Sequence, residues 1–382
     1  MAMPRSSLRV ALMLETDGPG GAENVVFDLA EALRDRGHTV YPVGPEHGDG
    51  WLGKKLRESG FETHTFDQTR TLDWRLVRHL MRMFKELDVD VVHCHEFVAA
   101  IYGGTAARLA GRAHVFTMHG NQTMCDAWRR RTALRWSFRH SHAVVAVSQA
   151  TKKQLDRDLG LAPNAIRVIR NGVPVRAGRR EPIHQELGVR DGETLILAVG
   201  NLLERKGHIY LLRALQSLVE QGLSVPWRLV IAGGRGGEER PKLDAFIAEH
   251  GLSDRVHILS YRNDVPDLLA AADIFVMPSL WEGLPLSILE AMLMGVAVIA
   301  SETSGIPEAI VNEQHGLLVP PGDEGRLSKA LERLLRDPKL RARLASDARR
   351  RALGEFTIDA MTDSYEELFH AACSTRATRS PP

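Results

Sequence analysis

The chain has 382 residues, too many for one comfortable core and suited to two domains of roughly 100–200 residues each. Its 44% hydrophobic and 25% charged residues, with 33 glycines and 18 prolines scattered along it, exclude collagen-like and disordered sequence. Three cysteines, Cys94, Cys125 and Cys373, cannot build a disulfide framework or a four-cysteine zinc site and suit a reducing cytoplasm, while a net charge of +1 points to no nucleic-acid partner.

That charge is unevenly placed. Residues 121–180 hold 13 Lys and Arg against 3 Asp and Glu, which reads either as a solvated face or as an anion- or lipid-binding patch. The first apolar run, 10–14, is cut short by Glu15 and Asp17 and is too brief for a signal-peptide core. No stretch reaches about 18 uncharged apolar residues, so any membrane contact is expected to be peripheral.

Short β-branched runs alternate with helical patterns almost from end to end, as in parallel sheets. Strands are predicted at 8–14, 38–43, 89–95, 114–118, 142–147 and 166–169, then again at 194–199, 228–232, 256–259, 274–277, 297–300 and 316–319. Between the two sets, 172–182 carries Pro174, Gly178 and Pro182 without apolar periodicity and reads as a linker. The expected organisation is a first doubly wound domain over 1–177, a second over 178–354, and a C-terminal segment, 355–382, holding a helix that packs back on the first domain and a disordered tail. In such sheets ligands bind beyond the carboxyl ends of the strands, so the site is expected to draw loops from both domains.

The loops that carry chemistry follow strands. Asp17-Gly18-Pro19-Gly20-Gly21-Ala22-Glu23 leads into a helix, where glycines permit close backbone approach and unpaired N–H groups suit a phosphate or sugar hydroxyl; the same residues also make a plain tight turn. His93-Cys94-His95-Glu96 invites a metal reading, but strand alternation sends Cys94 to the face opposite His93 and His95. His119, before Gly120, is either aimed at a ligand or a satisfied structural histidine. The stretch 128–139 places Arg131, Arg135 and Arg139 on one helical stripe beside Trp128 and Trp136, fitting a lipid interface or a basic solvated helix equally well.

In the second domain, Arg205 and Lys206 beside Gly207 at a strand end suit a diphosphate, with an exposed basic turn as the alternative. Glu282 and Glu290 border the loop that follows the strand at 274–277, and carboxylates there can accept hydrogen bonds from sugar hydroxyls. Ser287-x-x-Glu290 also matches a capping box, and Glu282 also reads as a solvated acid.

Taken together these residues resemble the family 4 retaining glycosyltransferases of GT-B architecture, over nearly the whole chain. The specific element is E-x7-E, Glu282 to Glu290; Gly20-Gly21-Ala22-Glu23, His119-Gly120, Val147-Ser148, Asn171-Gly172-Val173, Lys206-Gly207, Ala271-Ala272-Asp273 and Gly305-Ile306-Pro307-Glu308 support it in order and spacing. The resemblance implies an α/β fold of two doubly wound, Rossmann-like domains facing a central cleft. It implies that Gly20 and Gly21 approach the donor diphosphate and sugar, that His119 lies near the donor sugar, and that Lys206 neutralises the diphosphate. Glu282, with Gly283, Leu284 and Pro285, would contact sugar hydroxyls, Glu290 the ribose, and Arg262 would sit in the base-binding loop. Asn201 departs from the family's frequent arginine, and Arg205 is a candidate substitute; Pro174 replaces a frequent aspartate.

The implied reaction moves a hexosyl unit with retention from a UDP-sugar or GDP-mannose to a glycan or glycolipid acceptor, in polysaccharide assembly in the cytoplasm or at the inner face of its membrane. Charge on the leaving diphosphate is to be met by cations and helix N-termini, with no metal and no cofactor. The Asp-x-Asp Asp88-Val89-Asp90 precedes a strand rather than following one. Three rivals share parts of the pattern: a glycoside hydrolase with paired carboxylates, a sugar-nucleotide 2-epimerase, and a non-catalytic nucleotide-sugar binder.

Overall fold

The computed structural model describes residues 6–46, 50–68, 72–120, 127–161, 165–234 and 239–378; Cys125 lies outside them. The chain divides into two compact units, one ending at Gly172 and resuming at Ile358, the other spanning Val173–Thr357.

The first unit runs β1 (Arg9–Leu14), α1 (Gly21–Asp35), β2 (Thr39–Pro45), α2 (Trp51–Glu58), β3 (His64–Phe66), α3 (Trp74–Glu86), β4 (Val91–His95), a π-helical turn (Ala99–Gly103), α4 (Gly104–Leu109), β5 (Ala113–Met118), α5 (Trp128–His140), β6 (Ala143–Ala146), α6 (Gln149–Leu159) and β7 (Ile166–Val168). Its strands pair in parallel in the order β3-β2-β1-β4-β5-β6-β7. β1, β4 and β5 are almost wholly buried, as helix-covered parallel strands are, and mostly apolar, with His93, His95, His114 and Thr117 as buried polar exceptions. β3 is not among the strands expected from sequence: it is a three-residue edge strand with a half-exposed histidine and an exposed threonine, too short and polar to register as a run.

The second unit repeats the scheme with α7 (Arg180–Leu187), β8 (Thr194–Val199), α8 (His208–Glu220), β9 (Trp227–Ala232), α9 (Arg240–Glu249), β10 (Val256–Leu259), α10 (Val265–Ala271), β11 (Ile274–Met277), α11 (Leu286–Met294), β12 (Ala297–Ser301), α12 (Ile306–Ala309), β13 (Leu317–Val319), α13 (Glu324–Arg336) and α14 (Pro338–Glu355). The order β10-β9-β8-β11-β12-β13, all parallel, reverses direction between β8 and β11, which puts the carboxyl ends of those two strands at the topological switch point.

The segment read as a linker is largely docked on the second unit. The N–H of Val173 donates to the carbonyl of Phe356 at 2.9 Å, Val173 pairs in parallel with Thr357, and the N–H of Arg179 donates to Asp267 Oδ1 at 2.8 Å. Entry and exit strands of this unit therefore run side by side, a constraint between positions 184 residues apart that local composition does not encode.

The last helix, α15 (Ile358–Thr378), packs on the first unit against α1 and β5; residues 379–382 lie outside the described set. Tyr365 and Phe369 are fully buried, the Tyr365 ring 4.8 Å and the Phe369 ring 5.3 Å from that of His93. A polar seam locks the same helix: Arg36 meets Asp359, Asp363 and Glu366, and the Nε2 of His38 lies 2.7 Å from Glu366 Oε1. His38 Nδ1 accepts the Leu8 N–H, which leaves its Nε2 as the donor to Glu366. We expect Phe369→Ala to destabilise the first unit by about 3–5 kcal/mol, read as a lowered midpoint in urea denaturation; a loss within experimental error would show that α15 is not part of that core.

Candidate active site

At the switch point of the second unit, β8 ends and a single 3₁₀ turn, Glu204–Lys206, delivers two cations before Gly207 opens α8. Gly207 has φ +68°, and a side chain there would collide with the carbonyl of Pro278, so only glycine lets this turn lie against the loop after β11. The Leu280 N–H donates to the Arg205 carbonyl at 2.7 Å, fastening the loops backbone to backbone, and Thr303 Oγ1 donates to the Leu280 carbonyl at 3.1 Å.

These ties bring the predicted charges together. Lys206 Nζ lies 2.6 Å from Glu282 Oε1, which also accepts the Ser279 hydroxyl at 2.9 Å, and Arg205 Nη1 is 3.6 Å from Glu282 Oε2. The Arg205 guanidinium lies 4.8 Å from the Trp281 ring centroid, a cation–π stack that fixes its direction. At 8% exposure Glu282 is no solvated loop acid: its charge is withdrawn from water and balanced by two cations. His208, buried at the start of α8, has its pKa lowered to about 4 by burial and by Lys206, so it adds no charge at neutral pH.

The capping-box reading of Glu290 fails on geometry. Pro285 is the N-cap of α11 and Ser287 already lies inside the helix, so no box forms at Ser287. Gly283, Leu284 and Pro285 are buried between Glu282 and the helix, with Glu290 half-buried in its second turn. Arg262, after β10, is held by Glu186 at 2.5 and 2.8 Å and by Asp264 at 2.7 and 2.6 Å, so its guanidinium already has carboxylate partners on both sides. Two motif elements turn out to be structural: Ser148 caps α6 through the Thr151 N–H, and Asp273 accepts the Leu195 N–H.

In the first unit Gly20 is the N-cap of α1, and a side chain there would collide with the carboxylate of Glu23, which folds back over the helix start. A helix N-terminus read as open to an anion is thus already shadowed by the chain's own acid. After β5, His119 Nε2 lies 2.9 Å from His95 Nδ1 with the rings stacked at 15°, and the His119 N–H donates to Glu96 Oε1 at 3.0 Å. Burial lowers the His119 pKa to about 4 and holds that of His95 well below its ordinary value, so both imidazoles are neutral. His93 and His95 do share a face, their centroids 4.1 Å apart, and among the described residues no three His, Cys, Asp or Glu side chains are grouped to hold a metal.

Sequence reading missed Glu15, Glu96 and Ser279. Glu15 and Glu96 follow directly on buried strands, and that abrupt placement of an acid is the available signal. Glu15 accepts the N–H groups of Val98 and Ala99; burial raises its pKa and that of Glu96, the latter to about 7.

A parallel α/β sheet in each unit, with a cation–carboxylate cluster at the switch point of the second, is the arrangement of a nucleotide-sugar-type transferase. Two family models match: Glycosyltransferase Family 4 over residues 19–176 and Glycosyl transferases group 1 over residues 179–351. The chain belongs to the family 4 glycosyltransferases of GT-B fold and is a glycosyltransferase. It is 28% identical to the UDP-Gal:alpha-D-GlcNAc-diphosphoundecaprenol alpha-1,3-galactosyltransferase of Escherichia coli, covering 97% of this chain and 98% of that one. It is 27% identical to the N,N'-diacetylbacillosaminyl-diphospho-undecaprenol alpha-1,3-N-acetylgalactosaminyltransferase of Campylobacter jejuni, covering 89% and 93%. In fold it is similar to Anabaena HepE, solved in complex with UDP and glucose, at a TM-score of 0.82 and 23% identity over 95% of this chain and 99% of that one.

Because Gly207 alone allows the two loops to meet, Gly207→Ala is expected to lower stability by at least ~1–2 kcal/mol from its left-handed backbone alone. The same variant should lose most nucleotide-diphosphate binding, measured by denaturation and by calorimetry with UDP and GDP. Retained affinity at reduced stability would separate the turn from the site.

Proposed function

We propose that this chain is a retaining, metal-independent hexosyltransferase that takes a UDP-sugar or GDP-mannose as donor and a lipid-linked or glycan hydroxyl as acceptor. The observation that carries this reading is the Lys206–Glu282 pair with Ser279 and Arg205 around it. A diphosphate arriving at Lys206 takes over the ammonium from Glu282 as a stronger, doubly charged partner. The freed carboxylate then accepts hydrogen bonds from sugar hydroxyls, so one ion pair is exchanged for two donor contacts at little electrostatic cost.

Chemistry follows from that exchange. The bond from the anomeric carbon to the diphosphate oxygen breaks, and the acceptor oxygen attacks from the same face. The acceptor proton ends on the departing phosphate, whose growing charge is met by Lys206, Arg205 and the N-terminal turn of α8. No protein nucleophile is needed. The E. coli and C. jejuni relatives bear names with diphospho-undecaprenol acceptors, which supports a lipid-linked acceptor here.

Helix α5 suits such a setting, with a correction to its pattern. Arg135 is not part of a free stripe, because its guanidinium donates to the Leu159 carbonyl at the end of α6. Arg131 and Arg139 remain exposed, as do Trp128 at 66% and Trp136 at 44%, while Leu134 and Phe138 turn inward. We propose contact between this exposed face and anionic headgroups. Among the described residues no helix is long and apolar enough to cross a membrane.

Two measurements test the reading. In a donor panel, Lys206→Ala should cut kcat/KM for the preferred nucleotide sugar by about 10²-fold or more, and Arg205→Ala by a smaller factor; unaltered turnover in Lys206→Ala would overturn the donor assignment. Isomerisation of the donor without an acceptor would instead indicate an epimerase. Sedimentation with phosphatidylglycerol vesicles should fall with rising salt and weaken in a Trp128→Ala/Arg131→Glu variant; no binding at low salt removes the membrane proposal.

A further inference from the structure

The carboxyl end of β4 holds a combination that transfer chemistry has not yet used. Glu96 has φ +67°, a left-handed conformation that a glutamate rarely adopts, and is half-buried, with its carboxylate accepting the His119 N–H. Its own N–H donates to the Thr117 carbonyl at 3.2 Å, and its carbonyl accepts the Ala100 N–H at 3.2 Å, so both sides of the strained peptide are fixed. The π-helical turn Ala99–Gly103 follows at once, started by the Glu15 carboxylate on the N–H groups of Val98 and Ala99. Left-handed backbone, a π turn and buried carboxylates each tend to collect at working sites, and here they share one loop.

A purely structural loop would be more stable with glycine at this position and no carboxylate to desolvate. What the carboxylate does hold is His119. Glu96 Oε1 grips the His119 N–H at 3.0 Å, and His95 grips the ring at Nε2, so main chain and imidazole are both fixed from the end of β4. With both imidazoles neutral, the bond to His95 also decides whether His119 Nδ1 is a donor or an acceptor.

We propose that Glu96 is a positioning residue for glycosyl transfer, spending backbone stability to hold His119 where its Nδ1 edge meets the donor sugar. The inference rests on the proposed transferase function and on the reading, implied by the family resemblance, that His119 lies near the donor sugar.

The groups facing Glu96 are Glu15 at the end of β1, Glu23 on α1 and His119 after β5, with Arg130 of α5 acting on Glu15. Burial and the two acids raise the Glu96 pKa to about 7. A raised acid stabilises the fold fully below its unfolded value, and that contribution is lost as pH climbs through the folded one. The Glu96 contribution therefore falls between about pH 4.5 and 7, while the buried neutral histidines His95 and His119 contribute in the opposite sense, so the melting temperature of the natural chain relative to that of Glu96→Gln should fall across this window.

The decisive experiment compares the full-length chain with Glu96→Gly, Glu96→Gln, His119→Ala and the Glu96→Gly/His119→Ala double variant. It measures melting temperature and nucleotide release from UDP-galactose, UDP-glucose, UDP-N-acetylglucosamine and GDP-mannose, each with a diphosphoundecaprenol-linked N-acetylglucosamine acceptor present. We expect Glu96→Gly to melt no lower than the natural chain yet release nucleotide about tenfold more slowly, with Glu96→Gln recovering most of that loss. The double variant should be no slower than His119→Ala, because both changes remove one function. Glu96→Gly releasing nucleotide within twofold of the natural rate while His119→Ala is slow overturns this inference alone, as does full additivity in the double variant or a lowered melting temperature in Glu96→Gly. A His119→Ala variant at the natural rate overturns the reading of His119, and this inference with it; no release by the natural chain from any donor overturns the proposed function instead.

Discussion

A lysine ammonium and a glutamate carboxylate 2.6 Å apart, both largely withdrawn from water, set the terms for the second unit's loops. Desolvating either charge alone would cost several kcal/mol, and the pair is tolerable only if geometry brings the two within hydrogen-bonding distance and satisfies what remains. The left-handed Gly207, the backbone bond from Leu280 to Arg205 and the Ser279 hydroxyl all serve that requirement. The same requirement makes the site responsive: a partially buried ion pair opens when a ligand supplies a better partner to both halves at once, and a nucleotide sugar carries an anion and a set of hydroxyls on one molecule.

The two sheets meet different electrostatic demands at corresponding edges. In the second unit the strand ends gather Arg205 and Lys206, suited to phosphate. In the first they gather neutral His95 and His119 with Glu15 and Glu96, a set poor in positive charge and rich in hydrogen-bonding groups, suited to hydroxyls. Burial is the cause in both places: it is offset by ion pairing in one and by loss of charge in the other.

Much of the fold was legible because parallel strands covered on both faces leave a loud signal, an apolar run ended by a glycine or an acid. β3 was not, since a three-residue edge strand carries no such run. The docking of 173–179 and the pairing of Val173 with Thr357 depend on partners far away in sequence, so Pro174 and Gly178 look like a free linker when they belong to a packed unit. Helix α15 could be expected from its periodicity, but its anchoring by Arg36 and His38 could not, because charged residues at the end of α1 read as solvated until three acids arrive from the far end of the chain.

The site divided along the same line. Lys206 and Glu282 were readable from motif and strand-end placement, whereas their direct bond was not, because each had been matched to a ligand rather than to the other. Glu96 stands inside His93-Cys94-His95-Glu96, where side-chain alternation bears only on whether the histidines share a metal. The informative property was the sign of one backbone dihedral, and a glutamate's identity says nothing of it. A residue type that disfavours the left-handed region, kept there by a hydrogen bond to the Thr117 carbonyl and one from the Ala100 N–H, has its conformation set by the surrounding fold rather than by its own preference. Such positions are where sequence propensity and structure disagree, and the disagreement itself marks Glu96 as a residue whose cost to the fold is balanced by what it holds in place.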